Sequence, residues 1–199
     1  METGSFKGES PDLVLASASP RRRELLTQIG MRFRVVVADV DEAVLPGEDP
    51  ETYVLRLARA KALEVLGRVG PGLPVLGADT AVILDGDILC KPGDRAEAGS
   101  MLRRLSGNTH EVYSAVAVAK GDGEVLDRLN VTRVTFADLD DEWINAYIDT
   151  GDPMDKAGSY GVQGRAAERI RRIEGSFSGV MGLPLFETSQ LLEAVKCYS

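Results

Sequence analysis

The segment Leu13-Val-Leu-Ala-Ser-Ala-Ser-Pro-Arg-Arg22 joins an apolar run to a helix start, and it decides how the chain begins to fold. Residues 13–16 are too few for a helix and predict a buried strand. Ser19 is a favoured N-cap and Pro20 suits the first helical position, so a helix follows at once. Free N–H groups at a helix start, beside two guanidinium groups, can bind phosphate. Taken alone, however, Ser-Pro-Arg is more often an ordinary helix cap followed by solvated arginines.

Strands and helices alternate along the rest of the chain, which predicts a mixed α/β fold. Asp49-Pro50 predicts the start of a long helix that has Gly67 as its C-cap. Asp85-Gly86 predicts a tight turn between two strands. A further pair of strands is expected around residues 161–163 and 169–173.

Composition limits the classes of function. The 199 residues, 44% of them hydrophobic, can bury the core of one large domain or of two closely associated lobes. A formal net charge of −8 argues against broad binding to nucleic acid or to anionic lipid. The chain has no apolar run that could span a membrane and no signal peptide, so we expect a cytoplasmic protein without a membrane partner. Residues 1–11 are polar and predict a flexible tail.

Cysteine and histidine usage narrows the possible metal sites. Cys90 and Cys197 lie far apart in a chain without an export signal, so both are expected to be free thiols. The single histidine, His110, leaves little from which to build a zinc site or a histidine-centred hydrolase triad. Any bound metal is therefore expected on carboxylates.

Asp79 interrupts the apolar strand predicted over residues 75–84. A buried ionised carboxylate is costly unless it is paired or binds a metal, so Asp79 is a candidate metal ligand or general base. The alternative is an aspartate at a strand edge that bonds to a neighbouring turn. Asp41 and Glu42 could complete an oxygen-ligand site for Mg²⁺ or Mn²⁺, or they could equally be solvated loop carboxylates.

Several other polar residues are informative only in combination. Lys61, Lys91 and Lys156 are each ordinary as surface lysines, although Lys91 leaves the predicted hairpin at the end that could display Asp79. Gln163 carries an amide that suits the edge of a nucleobase, but stabilisation of its own Gly-rich loop is the default interpretation.

Taken together, these segments resemble the Maf family of nucleotide pyrophosphatases over nearly the whole chain, from Leu13 to about Val195. Several such segments in the right order are highly specific, whereas any one of them would be weak. The segments are Leu15-Ala-Ser-Ala-Ser-Pro-Arg-Arg-Arg-Glu-Leu-Leu26, Ala58-Arg-Ala-Lys-Ala62, Leu76-Gly-Ala-Asp-Thr80, Lys91-Pro92, Leu105-Ser-Gly-Asn-Thr-His110, Pro153-Met-Asp-Lys-Ala-Gly158, Tyr160-Gly-Val-Gln-Gly164 and Gly182-Leu-Pro184.

The resemblance implies an ITPase-like α/β fold of the Maf/Ham1 type, with an elongated mixed sheet and flanking helices. Residues 12–197 would form a single domain with two lobes around a cleft, often as a homodimer. The implied activity is hydrolysis of a nucleoside triphosphate between its α- and β-phosphates, which releases a monophosphate and pyrophosphate. The implied cofactor is a divalent cation, Mg²⁺ or Mn²⁺.

The resemblance also implies roles for individual residues. The catalytic group comprises Asp79, Glu42 and Lys91, with Asp79 as the base that activates water. Asp79 and Glu42 would also be the metal ligands. The residues expected to hold the substrate are Ser17, Arg22, Lys61 and Lys156.

The sequence Tyr160-Gly-Val-Gln163 resembles the branch of the family that acts on dTTP and UTP rather than on 7-methyl-GTP. Arg21, Thr80 and Gln163 match the specificity positions of that branch, and modified pyrimidine triphosphates are further candidate substrates. One departure is Gly179, which stands where the family commonly has Asn, so contacts from that loop are not carried over.

Two other functions deserve comparison. A nucleotide-binding regulator or interaction protein without catalysis would have little need of a base embedded in a strand. A phosphotransferase is disfavoured because the chain has neither a Gly-x-x-x-x-Gly-Lys-Ser/Thr loop nor a kinase-type catalytic loop.

Overall fold

One seven-stranded mixed sheet organises the chain, with helices packed on both faces. The computed structural model describes residues 10–197, so most of the tail predicted at residues 1–11 lies outside the described residues. The strand order is β2-β1-β3-β5-β6-β7, and β4 pairs with β3. The strands are β1 Leu13–Leu15, β2 Phe33–Val35, β3 Val75–Leu84, β4 Asp87–Leu89, β5 Thr109–Ala119, β6 Val125–Phe136 and β7 Ile170–Glu174. The predicted mixed α/β class is therefore confirmed.

The helices begin where the sequence predicts them. Ser19 and Asp49 accept hydrogen bonds from backbone N–H groups as N-caps. The prediction of Gly67 as a C-cap is wrong, because Leu66 and Val69 still pack against the core and the helix continues to a cap at Gly70. The helices are α1 Pro20–Gln28, α2 Pro50–Val69, α3 Arg95–Leu105, α4 Asp141–Asp149, α5 Phe177–Val180 and α6 Leu185–Ala194. None of these described helices is long and apolar enough to cross a membrane.

Strand β3 has a gap in its pairing along one edge. Strand β5 pairs with β3 along the opposite edge, over residues 75–83. On the gapped edge, β1 pairs in parallel with Val75 and Leu76, and β4 pairs antiparallel with residues 82–84. Residues 77–81 of β3, which we call the sheet gap, therefore lack a strand partner there among the described strands. The polar residues of β3 lie in this gap.

Helix α2 lies unusually close to β3 because Gly77 has no side chain. A Cβ atom at Gly77 would lie 2.3 Å from the Ala58 carbonyl oxygen and 2.7 Å from the Ala62 nitrogen. Ala58 belongs to a small apolar cluster between the helix and the sheet, together with Ala81 and Ala115. These small residues bring the intervening residue of α2, Lys61, next to the sheet gap.

The strand predicted at residues 161–163 is absent, and only the second member of the predicted pair forms, as β7 against β6. The chain turns at this point because Gly158 and Ser159 have φ angles of 65° and 63°. The Gly164 N–H then bonds to the Gly161 carbonyl, which closes a further turn. This region instead contains the short 3-10 helices Asp152–Asp155, Ala157–Ser159 and Arg165–Arg169.

Candidate active site

A cleft of about 920 Å³ opens over the sheet gap. One wall is the turn from β1 into α1, and the other contains the segment with the 3-10 helices. Ten residues that the sequence nominated for a site line this cleft, namely Ser17, Arg21, Arg22, Glu42, Lys61, Asp79, Thr80, Lys91, Lys156 and Gln163. Asp41, the other candidate metal ligand, is not among the residues that line the cleft. The fold thus assembles residues that are up to 146 positions apart, from Ser17 to Gln163.

The start of α1 is more than a capped surface helix. The Ser17 hydroxyl accepts hydrogen bonds from the Ser19 N–H and from Arg22 Nη1, both at 3.2 Å. Arg22 Nε donates to the Gly182 carbonyl at 2.8 Å, which fixes the guanidinium across the cleft floor. Burial lowers the pKa of Arg22, against the opposing charges of Asp79 and Glu42. A partly desolvated cation beside a helix N-terminus is a favourable site for phosphate.

Asp79, Lys61 and Glu42 form a charged cluster at the sheet gap. The Lys61 Nζ atom lies 2.6 Å from Asp79 Oδ1 and 2.6 Å from Glu42 Oε1. Asp79 is only 7% exposed, and burial raises the pKa of its carboxyl although Lys61 and Arg22 oppose that rise. A carboxyl whose pKa is moved towards neutrality is suited to act as a general base.

Glu42 and Lys91 lie at the mouth of the cleft, where both are more exposed. Partial burial alone would raise the pKa of Glu42, but its hydrogen bond to Lys61 and the nearby positive charges lower it overall. Lys91 Nζ lies 3.9 Å from Glu42 Oε2, and the Lys91 side chain is 62% exposed. Lys91 is therefore free to reach an incoming anion.

Tyr53 is a site residue that the sequence did not nominate. Its hydroxyl donates to the Glu42 backbone carbonyl at 3.0 Å and so holds the loop that carries Glu42. Burial raises the pKa of Tyr53, which therefore stays protonated as a donor. The available signal was its position about two helical turns before Lys61, but Tyr53 also fits the apolar stripe of α2.

Lys156 lies on the opposite wall, where neighbouring residues of the same segment bind its ammonium group. Its Nζ atom donates to the Asp152 carbonyl at 2.5 Å and to Asp155 Oδ1 at 2.6 Å, and it lies 3.0 Å from Asp152 Oδ1. Tyr147 links this group to the following turn, because its hydroxyl donates to Asp152 Oδ2 and accepts from the Gly161 N–H. The substrate-binding role of Lys156 stays a prediction.

The predicted specificity residues lie in the same cleft. A Cβ atom at Gly161 would lie 3.1 Å from Arg21 Nη2, so the arginine reaches the turn that precedes Gln163. Gln163 is exposed, and within residues 10–197 its amide has no hydrogen-bond partner. The Thr80 and Ser114 hydroxyls lie 2.8 Å apart. A free amide beside a guanidinium group can read the hydrogen-bonding edge of a base.

Gly179, the departure from the family pattern, has a structural counterpart. A Cβ atom at this position would lie 2.9 Å from Asn130 Oδ1. Asn130 is fixed in turn, because it accepts from the Thr132 hydroxyl and donates to Glu187. The space beside Gly179 is therefore already filled by an amide from β6.

Whether this site suits a divalent cation depends on the metal ligands that the substrate would supply. Within residues 10–197, no group of three or more His, Cys, Asp or Glu side chains could hold a metal ion. Mg²⁺, however, is commonly held by one or two carboxylates together with substrate phosphates. Asp79 and Glu42 direct oxygens at the same ammonium group, so the pair fits a cation that arrives with phosphate ligands.

The fold and the cleft are those of an α/β enzyme that has a cationic helix start and a buried carboxylate in one cleft. The sequence model of the family described as Maf-like protein matches residues 12–195. The chain belongs to the Maf family, as the resemblance predicted.

Curated relatives are similar over almost their whole length. The dTTP/UTP pyrophosphatase of Cupriavidus pinatubonensis is 50% identical over 194 residues, which cover 92% of this chain and 96% of that protein. The dTTP/UTP pyrophosphatase of Methylobacillus flagellatus is 54% identical over 182 residues, or 90% of each chain. Among solved structures, the Ham1 protein of Staphylococcus aureus is similar over 92% of this chain and 97% of that chain, with 14% identity and a TM-score of 0.49.

Proposed function

We propose that the chain is a nucleoside triphosphate pyrophosphatase that hydrolyses dTTP and UTP to the monophosphate and pyrophosphate. The observation that carries the proposal is the position of Asp79, a buried carboxylate in the sheet gap that faces a phosphate-binding helix start across one cleft. The two similar proteins described above, which are named dTTP/UTP pyrophosphatases, support the same activity.

Asp79 is the base in this proposal. Its carboxylate takes a proton from a water molecule as the water oxygen forms a bond to phosphorus. The α–β phosphoanhydride bond breaks, and pyrophosphate leaves with the electron pair of that bond. Lys61 donates to Asp79 at 2.6 Å, so it fixes the orientation of the carboxylate before the substrate arrives.

The phosphates of the substrate are held by the groups around Asp79. Ser17, Arg22 and the N–H groups at the start of α1 bind oxygens on one side, and Lys91 closes over them from the mouth of the cleft. These donors are already in place, so they stabilise charge as it develops on the phosphate oxygens. When bound at Asp79 and Glu42, Mg²⁺ or Mn²⁺ would supply further positive charge to the phosphates.

Selection of the nucleobase is assigned to the opposite wall of the cleft. Gln163 and Arg21 present donors and an acceptor to a pyrimidine, and Thr80 borders the same space. A pyrimidine with a small substituent at carbon 5 occupies nearly the same volume as thymine or uracil, so modified pyrimidine triphosphates are included among the proposed substrates.

The proposal extends to assembly and location. We place the enzyme in the cytoplasm as a homodimer, and the exposed aromatic side chains Phe177 and Phe186 are consistent with a subunit interface. Light scattering at several protein concentrations tests the dimer, and cell fractionation tests the location.

The central test is pyrophosphate release from a panel of ordinary and modified triphosphates, each with Mg²⁺, with Mn²⁺ and without metal. We expect dTTP and UTP to be the best substrates and D79N to abolish turnover while nucleotide binding remains measurable. A D79N variant that keeps more than a few per cent of the wild-type rate would exclude Asp79 as the base. Preference for 7-methyl-GTP would overturn the substrate assignment.

A further inference from the structure

Lys61 occupies the position that a cation shared by the two carboxylates would need. Its Nζ atom is 2.6 Å from an oxygen of Asp79 and 2.6 Å from an oxygen of Glu42. The lysine side chain is only 10% exposed, so its ammonium group lies between the carboxylates rather than in solvent. A divalent ion that bridged Asp79 and Glu42 would have to displace this ammonium group or lie against it.

The charged groups around the two carboxylates also disfavour a lone cation. Asp79 and Glu42 supply two negative charges at the sheet gap. Lys61 contacts both carboxylates, Lys91 lies 3.9 Å from Glu42, and the Arg22 charge acts on both acids, which makes three positive charges. These five groups together are net positive, so they attract a polyanion and repel a free divalent cation.

A bound triphosphate would change both conditions. Its negative charges reverse the net charge around the two carboxylates, and its oxygens offer Lys61 another set of acceptors. Helix α2 is fixed against β3 at Gly77, so the change falls on the lysine side chain, whose ammonium carries three rotatable donors on a flexible stem. The carboxylate oxygens are then released towards the phosphates.

We infer that Lys61 is a placeholder that keeps divalent cations away from Asp79 and Glu42 until a triphosphate binds. Nucleotide and cation therefore bind with positive coupling, each raising the affinity for the other. The inference rests on the proposed function, since it takes the substrate to be a triphosphate. It assigns Lys61 a positioning role in the nucleotide-free enzyme, in addition to contact with phosphate.

The test measures Mn²⁺ binding to the full-length protein without turnover, by electron paramagnetic resonance of free Mn²⁺ at about pH 8. We expect K61M to bind Mn²⁺ at least about tenfold more tightly than wild type in the absence of nucleotide, a gain of about 1.4 kcal/mol. The matched control is K120M, which removes the same charge from a half-buried lysine that lies outside the cleft and pairs with Asp122 and Glu124. K120M should bind Mn²⁺ as wild type does.

Two further measurements complete the test. In wild type, the non-hydrolysable α,β-imido analogue of UTP should raise Mn²⁺ affinity by at least about tenfold. The gain in Mn²⁺ affinity expected for K61M should be absent from the double variant K61M/D79N. Circular dichroism establishes that K61M is folded, and K61Q replaces it if it is not.

The inference is overturned if K61M and wild type bind Mn²⁺ equally, or if the gain survives in K61M/D79N. It is also overturned if wild type binds Mn²⁺ as tightly without the analogue as with it. Pyrophosphate release by wild type is measured separately, so absence of the proposed activity is distinguishable from failure of the placeholder role.

Discussion

Replacement of Gly77 by alanine should separate Lys61 from Asp79 without touching either residue. The added methyl group would lie 2.3 Å from the Ala58 carbonyl oxygen, whereas ordinary van der Waals contact begins at 3.4 Å. The atoms involved are backbone atoms of α2, so no side-chain rotation relieves the overlap. The helix must therefore retreat from β3 by about 1 Å, and Lys61 retreats with it.

Both stability and catalysis should respond to this displacement. Overpacking of a close-packed contact costs about 1–3 kcal/mol of unfolding free energy. A misplacement of about 1 Å in a catalytic arrangement can reduce the rate by about 100-fold. G67A is the matched control, because it adds the same methyl group to α2 at a position with no atom within 4 Å. Alanine should stabilise G67A by up to about 1 kcal/mol.

The assay combines urea denaturation with measurement of kcat for pyrophosphate release from dTTP. We expect G77A to lose stability and kcat together, and G67A to keep its full kcat. A G77A protein with wild-type stability and wild-type kcat would refute the argument that the glycine sets the distance between α2 and β3.

Three further predictions follow from the same contacts. Burial raises the pKa of Asp79, and the Glu42 charge adds to that rise. In the pH profile of kcat/KM, the loss of activity on the acid side should therefore occur above the ordinary aspartate pKa, and E42Q should move it to lower pH. An E42Q profile identical to that of wild type would contradict this. Burial lowers the pKa of His110 to about 4 in the folded state, so between about pH 6.5 and pH 4 only the unfolded chain binds this proton. The unfolding free energy of wild type should therefore fall more than that of H110Q as the pH is lowered through this range, by as much as ~3 kcal/mol. An equal fall in the two proteins would contradict the lowered pKa. Finally, Q163A should alter the ratio of kcat/KM for dTTP and GTP more than kcat for its best substrate, and an unchanged ratio would remove Gln163 from base selection.

The sequence was most informative where local rules and long-range packing agree. The bounds of β3 could be predicted to the residue because its apolar run and the Asp85-Gly86 turn point to the same structure. It was least informative in the segment of 3-10 helices. The turn there depends on left-handed backbone at Gly158 and Ser159 and on a hydrogen bond to Tyr147, neither of which is visible in local periodicity.

The candidate site shows the same division. The burial of Asp79 could be argued from its apolar strand, and its presence in one cleft with Arg22 followed from the family resemblance. The simultaneous contacts of Lys61 with Asp79 and Glu42 could not be predicted, since they depend on how closely α2 approaches the sheet at Gly77. The pairing of Lys156 with Asp152 and Asp155 was likewise hidden, because a lysine among acidic residues reads as an ordinary surface group.

The sheet gap separates Asp79 from two of the three residues assigned to selection of the nucleobase. Asp79 stands on a strand that β5 pairs along the opposite edge over residues 75–83, so its position is held by a long antiparallel pairing. Of the residues assigned to selection of the nucleobase, Thr80 shares this strand, whereas Arg21 lies in the first turn of α1 and Gln163 lies in a turn. Substitutions at Arg21 and Gln163 can accumulate without disturbing the strand pairing that carries Asp79. A protein built in this way can diverge towards new nucleotides through these two positions while the hydrolytic step is inherited unchanged.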